Sequence, residues 1–259
     1  MAEQGTNGAG SPSFAEIIRG HAKDRPLPKR FYKQAEVAET DGGFTVTLDG
    51  RGIKTPLKQP LTLPARTLAE AVAAEWNAQG EHVDPASMGL TRLSNTAIDR
   101  VAPDKQRIVS EILAFAGSDL LCYRAESPDP LVARQCAIWD PILKWAAESL
   151  GVGLVTATGI IHRAQPEASL AKLNTLLNDY DPFALTAIHN MTTLSGSAIV
   201  AVAVARGHLE PEAGWAAAHL DEDWQIEQWG EDAATLRRRA LRKAEFDSAV
   251  SFLKLTNHP

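Results

Sequence analysis

The sequence predicts an α+β protein: a small N-terminal α/β part with an antiparallel hairpin, followed by a mainly α-helical domain. Three observations carry this. Phe44, Val46 and Leu48 alternate with Thr45 and Thr47 and run into Asp49-Gly50, a pair that tolerates the positive φ of a tight hairpin turn. Beyond Asp104 the apolar residues recur with helical rather than strand period. The 259 residues are 44% hydrophobic and 22% charged, enough apolar material for a substantial core.

Residues 1–13, rich in Gly, Ala, Ser and Asn, read as a disordered tail. Residues 14–103 form the β-containing part and residues 104–259 the helical part. Within the first, the return strand passes through Ile53, and a helix opens near Pro64 with Leu68, Val72 and Trp76 on one face. Trp76 completes that stripe and reads as a packing anchor. Ile108, Ile112 and Phe115 mark the next helix. Val132, Cys136, Trp139, Leu143, Ala146 and Leu150 form a longer stripe closed by Gly151, with Pro141 inside it expected to kink or split the helix. Segment 154–161 alternates and is a candidate strand returning to the N-terminal sheet. Asp181-Pro182 supplies an N-cap and a first helical residue for an apolar region that reaches Ala205, weakened at Ser195-Gly196. Pro211 opens a helix carrying Trp215, Leu220 and Trp224, and Glu231 to Leu255 is the last helix.

Composition narrows the function. A net charge of −6 argues against a general nucleic-acid or anionic-membrane binder. Ala198 to Ala205, the longest apolar stretch, is too short for a membrane span, which needs about 20 residues. The start of the chain has neither the apolar run of a secretory signal nor the arginines of a transit peptide, which points to a cytoplasmic protein or a mature organelle form. Cys122 and Cys136 are too few and too far apart for a disulfide framework or a zinc knuckle, and both read as buried thiols in a reducing compartment.

No catalytic motif emerges. Gly50 to Thr55 lacks the spacing of a phosphate loop, and Ser195 and Ser197 lack a nucleophile elbow. His219, Glu222 and Asp223 share a helical face that could hold a metal, but a solvated acidic face explains them better, so no metal and no cofactor is expected. Arg237, Arg238, Arg239, Arg242 and Lys243 spread around a helix and follow a run of acids, which favours ion pairs over a nucleic-acid footprint. Trp224 and Trp229 point roughly 140° apart on one helix, so they cannot serve the same core in the same way. An enzyme of hydrolase type with an unrecognised pocket remains the alternative.

Several longer segments resemble a known family. They are Leu48 to Arg51, Glu75-Trp76, Leu90 to Asp99, Asp119 to Ala125, Trp139 to Pro141 and Asp221 to Gly230. In order along the chain, they resemble the assembly chaperone that binds the α subunit of the F-type ATP synthase catalytic head in mitochondria and some bacteria. The resemblance implies a non-enzymatic holder, monomeric when free, that covers the unassembled α subunit until a β subunit replaces it. It would act in the cytoplasm of a bacterium, or in the matrix for mitochondrial relatives. Client-binding candidates are Asp221, Glu222, Trp224, Glu227, Trp229 and Asp232. Gly89 and Ala234 depart from the family pattern, which often has Pro and Glu there.

Overall fold

A computed structural model describes residues 27–159, 161–230 and 232–256; the expected tail at 1–13 lies outside them. Strand β1 (Ala35–Thr40) pairs antiparallel with β2 (Gly43–Leu48), which pairs antiparallel with β3 (Arg51–Gly52). The register Leu48↔Arg51 leaves Asp49-Gly50 as the two-residue loop, with φ of 48° and 80°. Both are left-handed, as a turn matching the strand twist demands. Gly43 is constrained differently. A Cβ there would lie 2.3 Å from the Leu63 carbonyl oxygen, which accepts the Phe44 N–H.

Helix α1 (Arg66–Asn77) lays Leu68, Ala69, Val72 and Ala73 against this sheet. Trp76 extends the same stripe and stacks edge-on against Tyr32, with ring centroids 5.6 Å apart. The segment around Met88 to Asp99, ambiguous in sequence, is α2 (Gly89–Thr96) running into a π-turn (Ala97–Val101). Helix α3 (Lys105–Gly117) follows, its first turn capped by Asp104.

Helix α4 (Asp129–Leu150) is one element ending at Gly151 in the left-handed region; Pro141 does not split it. Pro141 and Ala137, whose carbonyl loses its helical partner, are both exposed, so water can take the freed oxygen. The buried face is Gln135, Trp139, Ile142 and Ala146 rather than the full expected stripe. Gln135 displaces Cys136 because both ends of its amide are bonded: Oε1 accepts from Ala125 N–H and Nε2 donates to Asp221. Cys136 is therefore exposed, a correction to the expectation of two buried thiols; Cys122 is buried. The candidate strand in segment 154–161 is also corrected. Residues Ala157–Thr158 (β5) pair in parallel with Tyr123–Arg124 (β4), not with the N-terminal sheet.

Helices α5 (Glu167–Asp179), α6 (Pro182–Ser195) and α7 (Ala198–Ala205) build the helical core. Asp181 caps α6 and Gly196 ends it, as the sequence predicts. Ser197 turns out to be a cap for α7, accepting from Val200 N–H at 3.0 Å. Residues 198–204 of α7 are all buried, which is why a helix apolar all round is tolerated. The helix predicted from Pro211 is two, α8 (Pro211–Ala218) and α9 (Leu220–Trp229), separated at His219. Helix α10 (Ala233–Leu255) closes the chain. It packs against α6, α2 and α1, and Thr67 donates to its Leu255 carbonyl, so one contiguous apolar cluster joins the sheet and the helices.

Candidate functional site

Helix α9 and the N-cap of α10 carry every residue expected to meet a client. The structure places those residues unequally. Asp221 is half-buried and accepts from Gln135 Nε2 at 2.7 Å. Glu227 is exposed and grips Arg134 of α4 through two parallel hydrogen bonds of 2.9 Å. That pairing holds the Glu227 carboxyl below the usual carboxylate range and raises the Arg134 guanidinium. The same guanidinium sits 5.8 Å from the centroid of half-buried Trp224. Asp223 is ion-paired with Arg239 of α10.

Asp232 is the N-cap of α10. Its carboxylate accepts from Ala234 N–H at 2.8 Å and Thr235 N–H at 3.0 Å, and these bonds depress its pKa. Glu222 is half-buried near His219, with no bonded partner among the described residues. His219 itself is turned inward: it stacks on Trp215 with centroids 3.7 Å apart, and burial lowers its pKa. It does not converge with Glu222 and Asp223 on a common point, and no cluster of metal-ligating side chains occurs among the described residues. Trp229 stands out at 78% exposure. Sequence reasoning missed the α4 partners, Arg134 and Gln135, because they lie about ninety residues away in the chain. It also missed Leu236 and Leu241, about half exposed, whose signal was two leucines inside an arginine-rich helix.

The other resemblance segments hold loops in place. Glu75 accepts from the N–H groups of Leu90 and Thr91 at 2.7 and 2.8 Å, and so caps α2. Asp99 accepts from the Thr55 hydroxyl at 2.6 Å and from Leu57 N–H at 3.1 Å. Asp49 accepts from Lys33 and Gln34 N–H, which lowers its pKa. An open depression of about 480 Å³ beside the hairpin is lined by Phe31, Tyr32, Arg51, Ile53 and Trp76 among others. Its one carboxylate and its one phenol are committed elsewhere, Asp49 to the backbone and the Tyr32 hydroxyl to the Trp76 carbonyl at 2.6 Å.

The ATP12 chaperone protein family matches residues 29–147. The crystal structure of Atp12 from Paracoccus denitrificans is 40% identical, covers 89% of this chain and 99% of its own, and superposes with a TM-score of 0.84. The chain belongs to the ATP12 chaperone family. The Atu1473 protein of Agrobacterium tumefaciens is 49% identical, with 92% and 90% of the two chains covered and a TM-score of 0.86. Protein atp12, mitochondrial, of Schizosaccharomyces pombe is 26% identical over 243 residues, 87% of this chain and 84% of that one. The α+β architecture, a hairpin sheet followed by helices, is thus the ATP12 family fold. Among the described residues, no helix is long and apolar enough to cross a membrane.

Proposed function

We propose that this ATP synthase assembly chaperone holds the unassembled α subunit soluble until a β subunit displaces it. Membership of the ATP12 family supports the reading, and the observation that carries it to a surface is Trp229, a large aromatic left open to solvent beside a clasped helix pair. An unassembled subunit exposes apolar interface and is prone to aggregate. A partner that is later exchanged should present a few anchors, with charges that steer the encounter. Asp221, Glu222, Trp224, Glu227, Trp229 and Asp232 form the proposed contact region, with the chaperone monomeric when free and working in the bacterial cytoplasm. Glu222 is the acid of this set best placed to meet a partner, since the others already accept internal hydrogen bonds.

Co-expression with the α subunit of the same organism tests it. Soluble α should rise several-fold and co-elute with the chaperone on sizing, and Glu222→Lys should reduce that yield without changing the chaperone's own unfolding midpoint. Unchanged soluble α together with no complex would sink the proposal.

A further inference from the structure

Several acids of the α9–α10 arm are already engaged, while three arginines of α10 are left without a carboxylate among the described residues. Glu227 is bound to Arg134, Asp223 to Arg239, and Asp232 to the first turn of α10. The cations of α10 divide by face. Arg239, Lys243, Phe246 and Val250 lie on the inner face, where Lys243 pairs with Glu212 and Asp247. Arg237, Arg238 and Arg242 have no carboxylate in ion-pair contact among the described residues: Arg238 donates to the Thr235 hydroxyl and Arg242 to the Leu194 carbonyl. On the outward face, Ala233, Leu236, Ala240 and Ala244 recur at helical spacing with Arg237 and Leu241 beside them, and all six are exposed. Leu236 and Leu241 are 51% and 50% exposed.

We propose that this outward face of α10 docks an amphipathic client helix whose apolar stripe is flanked by Asp or Glu. The inference rests on the reading that the client is the unassembled α subunit. Three small side chains let a second helix approach closely, and Leu236 and Leu241 supply the ridge that packs into it. Arginine forks take carboxylates bidentately, so Arg237 and Arg238 select acidic flanks and reject basic ones. Behind this face Glu227 fastens α9 to α4 and Asp232 starts α10. A partner chosen by the net charge of the chain alone would be basic; the arginines beside this stripe choose the reverse.

The test is retention of co-expressed α subunit on the tagged full-length chaperone, comparing wild type with Arg237→Glu/Arg238→Glu and with Leu236→Ser/Leu241→Ser. Each pair should cut retention by about ten-fold or more, as hot-spot losses do. Wild-type retention should also weaken as salt rises. All four residues are exposed, so circular dichroism and the unfolding midpoint should stay at wild-type values. Wild-type retention by both variants, or tighter retention by the glutamate pair, overturns the proposal. So does a free chaperone dimer that the serine pair dissolves, since the face would then be a contact between copies. If wild type itself retains no α, the function proposed above falls, and this inference with it.

Discussion

Asp119 sits in the closed core between α3 and α7. One carboxylate oxygen accepts from Leu121 N–H at 3.1 Å and the other from Ile199 N–H at 3.2 Å. Burial pushes its pKa from an ordinary 3.8 up to about 6, against the hydrogen bonds from Ser197 and the backbone that favour the ionised form. A raised folded pKa means the native state binds the proton more tightly than the unfolded chain. The stability contribution is therefore complete below the ordinary carboxylate range and is lost as pH rises through about 6. Asp119→Asn removes that titration. Between pH 4.5 and 7, wild type should lose about 2 kcal/mol relative to the variant, read from urea midpoints, because each pH unit of displacement is worth about 1.4 kcal/mol. A parallel pH dependence in the two proteins would show that Asp119 titrates normally. Glu75, Asp99 and Asp49 do similar work nearer the surface, each accepting backbone N–H groups that would otherwise be unpaired.

At the scale of elements, caps and periods were legible in the sequence and partnerships were not. Asp181-Pro182, Gly151 and Asp49-Gly50 declare their local geometry because each meets a backbone requirement within its own few residues. The face of α4 was misjudged at Cys136 because a glutamine enters the core once Ala125 and Asp221 satisfy its amide, and neither partner adjoins it in the chain. The β5 pairing was misplaced for the same reason: a two-residue strand carries no record of its partner. Among the site candidates, the sequence located the arm but not the division of labour within it, since Arg134 and Asp232 spend charge that looked free. Asp232 separates capping from client contact experimentally. Asn caps about as well as Asp. Asp232→Ala should therefore speed hydrogen exchange through the first turns of α10, whereas Asp232→Asn should leave exchange near wild type. A loss of α retention in the Asn variant, whose cap is intact, would identify the charge as a contact.

Across the whole molecule, α10 is the tie. Its first half projects the outward stripe, while Phe246, Val250, Phe252 and Leu253 are buried in the cluster that contains both Val46 of the sheet and Leu185 of α6. Phe252 stacks on Phe183 at 5.9 Å, and Ser248 occupies space beside Gly89, where a Cβ would come within 2.7 Å of its hydroxyl. Phe252→Ala should cost about 3–5 kcal/mol, as large-to-small changes at fully buried aromatics do. Because the cluster is continuous, amides of α1 and of α6 should lose protection together. Loss confined to α6 would mean that the sheet part is stable without the helix. A client docked on the exposed half of α10, as proposed, would touch an element whose other half is buried in the core.

The two thiols offer a practical route to that arm. Cys122 is closed in the core, where burial pushes its thiol up to about 12, while Cys136 lies exposed on α4, two residues from Arg134. A maleimide dye added to the native protein is thereby directed to one place, on the helix whose Arg134 moors α9. The unmodified sequence already carries its own attachment point for a fluorescent reporter of client arrival and departure.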